Sequence, residues 1–202
     1  MENTIISQQE FSHLTQEAIN LGASACAVIF SREIIIKDML AALCNGEYPC
    51  PNYGLATSCP PHVKGPGQFR RWQEKSPYSL VVKIELPSSV MFSQARSGVM
   101  RLVHEIVATM EKKAAEAGFK NAKAFAGGSC KDLFCPDQAN CCVLSENKAC
   151  PHKDSVRPSM SGFGIDVTQL MVSCGWSGQT AKETDAANQE STSWVAGLIL
   201  LA

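Results

Sequence analysis

Cysteine is the residue type whose number and spacing could do chemistry in this sequence. Of ten cysteines in the chain, eight fall into two short segments. The stretch from Gly127 to Val167 holds Cys130, Cys135, Cys141, Cys142 and Cys150, and CNGEYPCPNYGLATSCPP holds Cys44, Cys50 and Cys59. Both segments are broken by Gly, Pro and Asn, so they read as loops rather than helices or strands. Thiols strung along loops serve as metal ligands or disulfide partners, whereas core cysteines sit on regular elements.

The downstream thiols Cys130, Cys135, Cys141 and Cys150 form a C-x4-C-x5-C-x8-C set. Four thiolates can ligate a tetrahedral zinc or a four-iron cluster. Zinc knuckles favour paired C-x2-C to C-x4-C intervals, and only the first interval fits that. Cluster-binding loops accept irregular spacing because the inorganic core is large, and Pro follows Cys59, Cys135 and Cys150 here. Gly127 and Gly128 would let backbone N–H groups approach such a core. Lys131, Lys148, Lys153 and Arg157 flank the set, either as compensation for a negative cluster or as solvated surface charge.

The upstream set, Cys44, Cys50 and Cys59, offers three thiols before Pro60 and Pro61. Three ligands with an open or non-cysteine fourth position describe a catalytic metal or a cluster with an exchangeable iron. His62 is a candidate fourth ligand, and Tyr53 or His62 a candidate proton donor. Alternatively, the two loops come together and share one site.

Other chemistries lack their signatures. The formal net charge is −1 and there is no Lys/Arg run, which excludes a general nucleic-acid binder. G-x-G-x-x-G, a Walker loop, H-E-x-x-H and G-x-S-x-G are all absent. MENTIISQQEFSHL has no positive n-region and no apolar h-region, so it is not read as a signal peptide. The longest apolar run, Trp194 to Ala202, is far below the roughly 20 residues that span a bilayer. A cytoplasmic protein is expected, and there a cysteine framework means metal or redox chemistry more often than disulfides.

The elements that must position these loops follow from periodicity. Ser7 to Glu10 has a capping-box pattern opening a helix over Gln8 to Leu21. Ser24 to Phe30, Ser79 to Leu86, Asn121 to Ala126 and Ser193 to Leu201 read as strands, with Cys26 in the first as a core residue. Glu33 to Leu43 is ambiguous, and Phe69 to Lys75 suits a short helix. Ser93 to Gly118 is the longest helix, with an apolar stripe from Val99 to Ala117 and His104 beside it as a structural residue. Asp166 caps a short helix whose inner face includes Val167, Leu170, Met171 and Cys174, while Thr180 to Ser191 is loop. Alternating strands and helices predict one α/β domain over residues 1–202, with a mixed or parallel sheet of about four to five strands covered by helices. Cysteine-rich metal-binding loops at 44–62 and 127–158 complete it.

Four stretches resemble a known family, the predicted metal-binding proteins of domain of unknown function 2284. They are Cys44, Cys50, Tyr53, Gly54, Cys59, Pro60 and Pro61 in C-x5-C-P-N-Y-G-x4-C-P-P; the GGSCKDLFC run at Gly127 to Cys135; the Cys141 to Cys150 segment; and RPSMSGFGIDV at Arg157 to Val167. The resemblance implies cysteine-ligated metal of the iron–sulfur kind, in proteins common among anaerobes, and no established reaction. It also places the third downstream ligand at Cys141, with Cys142 as its neighbour. Many members of that family carry Lys before the first loop cysteine and Arg after the last, where this chain has Leu43 and Pro151-His152.

The leading expectation is a protein carrying one or two [4Fe–4S] clusters that transfers electrons to a redox partner or supports another enzyme. A zinc-stabilised binding scaffold and a metalloenzyme with an open position at the three-cysteine site are the alternatives, followed by a disulfide-stapled protein. Arg157, Ser159 and Met160 either shape the site or simply turn the chain. The apolar C-terminal strand suggests a homodimer paired across an interface.

Overall fold

The computed structural model describes residues 8–188 and 190–202, so the Ser7 half of the expected capping box lies outside the described residues. Helix α1 (Gln8–Asn20) buries Leu14 and Ala18, and Gly22 at φ +110° turns the chain into strand β1 (Ala25–Phe30). A left-handed φ of this size is one that glycine alone adopts cheaply.

Strand β1 pairs with β2 (Tyr78–Pro87), which pairs with β4 (Thr192–Leu201), which pairs with β3 (Lys123–Ala126), giving the order β1-β2-β4-β3. The α/β class and a four-stranded, helix-covered sheet are as the sequence predicts. The pairing is not, because every strand pair is antiparallel. The reason is the last strand. β2, the long helix α5 (Arg96–Glu116) and β3 do form a β-α-β crossover, but β4 inserts between its two strands and runs opposite to both. From Gly197 to Leu200, β4 is paired on both sides. It is therefore an interior strand, not a free edge for pairing across an interface.

Period-two alternation assigns the two faces of the sheet. Leu80, Val82, Ile84 and Leu86 of β2 and Val195, Ile199 and Leu201 of β4 face α1 and the Val103, Ile106, Val107 and Met110 stripe of α5. Burial of each such side chain contributes about 1.5–3 kcal/mol. Gly197 lies where α5 crosses, and a Cβ there would run into Val107. The opposite face packs Val81, Phe125, Leu198 and Leu200 against helix α3 (Gly65–Gln73), helix α8 (Val167–Ser173) and a 3-10 turn at Met160–Phe163. Phe125 meets Phe163 edge to face, with centroids 5.1 Å apart. As predicted, Asp166 caps α8, accepting from the Gln169 N–H at 3.1 Å. The ambiguous Glu33–Leu43 stretch resolves into a bridge between Ile36 and Ile165 followed by helix α2 (Asp38–Ala42). The loop expected at Thr180 to Ser191 carries a 3-10 turn at Glu183–Ala187.

Helix α4 (Ser88–Met91) precedes α5. The downstream cysteine segment is not pure loop: it contains helix α6 (Cys130–Phe134) and helix α7 (Cys142–Glu146). Each is only five residues long, too short for the periodicity by which a helix is read from sequence. Upstream, Cys44 sits in a 3-10 turn at Leu43–Asn45.

Candidate metal centre

Strand β3 ends at Ala126 and delivers the chain through Gly127 and Gly128 into α6. Ser129 starts that helix by accepting from the Lys131 N–H at 3.3 Å. Gly128 has φ +80°, and a Cβ on it would meet Met100 of α5. Glycine is favoured there by the left-handed turn, since the Met100 methyl is the tip of a flexible side chain that can move aside.

The downstream segment is held at both ends by one side chain. His104 of α5 is fully buried, its Nε2–H donates to the Gly127 carbonyl at 3.1 Å, and its Nδ1 accepts from the Arg157 N–H at 3.1 Å. Burial, aided by the Arg157 charge, lowers its pKa to about 4, so the ring stays neutral and keeps this tautomer. Two turns further along the same face of α5, Glu111 accepts from Arg157 Nε and Nη2, each at 2.7 Å, and from the Ala124 N–H of β3 at 2.7 Å. The Arg157 guanidinium also donates to the carbonyls of Lys153 and Val156. It is therefore committed to shaping the segment's exit, while Met160 packs in the core. Beyond it the Ala126 N–H donates to Pro158 O at 3.0 Å, and the Ser159 N–H to Ser58 O at 2.9 Å.

That last bond brings the upstream loop alongside. Ser58 Oγ donates to Cys130 Sγ at 3.1 Å, accepts from the Cys130 N–H at 3.4 Å, and lies 3.8 Å from Cys59 Sγ. Asn52 makes a second link, donating to the Asp132 carboxylate at 2.5 Å. The two cysteine loops do come together, but their thiols line two cavities separated by α6. Cys44, Cys50 and Cys59 line a cleft of about 550 Å³ with Gly128, Ser129 and Asp132 on its α6 side. Cys130, Cys135, Cys141, Cys142 and Cys150 line a second cavity of about 350 Å³ on the other side of α6.

Within each cavity the thiols influence one another. Burial raises the Cys44 pKa, with Cys50 and Cys59 adding to it. Burial pushes Cys130 up to about 11 against the Ser58 hydrogen bond, with Cys59, Cys150 and Cys141 as further contributors. Cys135 is raised by burial and then by Cys150, Cys141 and Cys142. Cys59 and Cys130 are the pair at which the two sets meet. All ten cysteines are free thiols. Cys26 and Cys174 stand apart, packed against the cores with pKa values pushed up to about 12 by burial, as structural residues should be.

His62 does not join the upstream trio: its Nε2 bonds the Gly54 carbonyl at 3.2 Å. Tyr53 does line the cleft. Among the flanking cations, Lys131 is buried and donates to the Cys135 carbonyl at 2.8 Å, while Lys148 pairs with Glu146 on the surface. Ser58 and Glu111 had no signal in the sequence, and His104 read only as a structural residue.

Among the described residues, no three His, Cys, Asp or Glu side chains converge closely enough to hold a single metal ion. The donor set nonetheless fits soft-metal chemistry, since thiolates select zinc, copper(I) and iron–sulfur clusters. Raised thiol pKa values mean that binding metal would release protons.

Two adjoining cavities beside the antiparallel sheet thus gather the loop cysteines into sets of three and five. A family model described as "Predicted metal-binding protein (DUF2284)" matches residues 27–201, and the chain belongs to that family. No curated protein and no solved structure matches it.

Proposed function

We propose that this chain is an iron–sulfur protein that carries electrons to or from another enzyme. The downstream thiols Cys130, Cys135, Cys141 and Cys150 are its [4Fe–4S] ligands, and Cys44, Cys50 and Cys59 serve a second metal centre. The observation that carries this reading is that Cys130, Cys135, Cys141 and Cys150 all line one cavity of about 350 Å³. Zinc, with Zn–S bonds of about 2.3 Å, draws four sulfurs onto one centre. A polynuclear core needs its ligands spread around it, which favours a cluster over the zinc scaffold.

A cluster supplies one-electron redox chemistry, and its surroundings set the potential. Here Ser58 donates to Cys130 Sγ, and the buried Lys131 places a positive charge beside Cys135. His104 and Glu111 fix the segment that carries the ligands. Single alanine replacements test the assignment. Cys130→Ala or Cys150→Ala should abolish the absorption of the downstream centre, whereas Cys26→Ala and Cys174→Ala should leave it. Equal loss in all four would contradict the ligand set.

A further inference from the structure

Two of the upstream thiols are placed to react with each other. The Cys50 N–H donates to the Cys44 carbonyl at 3.1 Å. With the fixed lengths from each Cα to the bonded atoms, that contact holds the two Cα atoms no more than about 7 Å apart. Disulfides close over Cα separations up to about 7 Å without backbone movement. Both residues line the upstream cleft and also a neighbouring hollow beside Leu40, Leu43 and Ile165. After burial, Cys50 contributes most to the raised pKa of Cys44, so the two sulfurs lie close enough to feel each other. The segment between them is already folded back, with the Gly46 N–H donating to the Leu43 carbonyl at 3.5 Å. Closing a ring across it therefore costs little further chain entropy. Access distinguishes the partners: all ten cysteines lie among the described residues, and Cys50 alone is exposed, with Cys44 half-buried. The other close pair, Cys59 and Cys130, flanks Ser58 with both thiols buried.

We propose that Cys44 and Cys50 are a reversible dithiol–disulfide site of the metal-free chain, oxidised by low-molecular-weight disulfides. This goes beyond the metal-centre reading and needs no metal. A disulfide asks for two sulfurs only, whereas among the described residues no three ligand side chains converge on an ion. The exposed Cys50 sulfur attacks the small disulfide, forming a mixed disulfide and releasing one small thiol. The half-buried Cys44 sulfur then attacks the Cys50 sulfur, forming the Cys44–Cys50 bond and releasing the second small thiol. Two electrons pass from the protein thiols to the small disulfide, and the two thiol protons end on the released thiols. Excess small thiol runs the same sequence backwards.

The test treats the reduced, chelator-stripped full chain with oxidised glutathione, then blocks the remaining thiols with iodoacetamide. Digestion with a protease that cuts after glutamate follows, and mass spectrometry reads the peptides. Glu47 lies between the two cysteines, so their peptides separate unless a disulfide joins them. The joined pair should appear two hydrogens lighter than its separate thiol peptides together, apart from an alkyl group on Cys59, and reduced glutathione should release it. Cys44→Ser should leave Cys50 trapped as the mixed disulfide with glutathione, and Cys50→Ser should leave Cys44 alkylated. Wild-type protein with Cys44 and Cys50 both alkylated, or with either joined to another cysteine, would overturn the proposal. So would a Cys44→Ser chain that takes up no glutathione at Cys50. Metal content of the untreated protein is measured separately, so a failed disulfide test leaves the metal-centre reading standing.

Discussion

The buried imidazole of His104 accepts a hydrogen bond from the main-chain N–H of Arg157 at 3.1 Å, while its other nitrogen holds the Gly127 carbonyl. One neutral ring on α5 thereby fixes both the entry and the exit of the downstream cysteine segment. The ring must stay neutral to do this, because Nδ1 can accept only without a proton.

That requirement predicts acid sensitivity. The folded pKa of about 4 lies below the ordinary 6.5, so between these values the unfolded chain binds a proton that the folded chain does not. Stability is then fully present above about pH 6.5 and falls as pH drops toward 4, by about 3 kcal/mol in total. Urea unfolding of the metal-free chain should show this slope, and His104→Gln should lack it. A variant with the wild-type slope would contradict the assignment.

Glu111 predicts a large structural cost. Its replacement by alanine strands the nearly buried Arg157 charge and the Ala124 N–H together. Glu111→Ala should destabilise by on the order of 3 kcal/mol. Glu105→Ala, which breaks the exposed pair with Arg101, should cost under about 1 kcal/mol by the same unfolding measurement.

Ser58 predicts a redox effect without a ligand effect. Its hydroxyl stabilises negative charge on Cys130 Sγ, and charge on sulfur is greatest in the reduced cluster. Ser58→Ala should retain iron but shift the reduction potential negative, as read by a redox titration. An unchanged potential would mean that the hydroxyl does not face a cluster ligand.

Much of the scaffold was legible because it rests on local pattern. The Val99 to Ala117 stripe, the alternation in β2 and the Asp166 cap each lie within one element. The antiparallel pairing was not, since nothing near β2 or β3 reports that β4 inserts between them. Likewise the cysteines announced a thiol site, but their division into two sets depends on which side of α6 each reaches. His104 and Arg157 are 53 positions apart, and Ser58 and Cys130 are 72 apart. Contacts of that kind arise only when the sheet assembles, so no spacing rule reveals them. Cys141 and Cys142 both line the downstream cavity, so the choice of Cys141 as ligand rests on the family resemblance.

The most direct test of the central claim is to purify the protein anaerobically and count iron, zinc and acid-labile sulfide per chain. The account predicts a brown protein whose iron and sulfide are equal, about four of each for one loaded centre or about eight if both carry cubanes. A colourless protein with stoichiometric zinc, or one with no metal under reducing conditions, would contradict it.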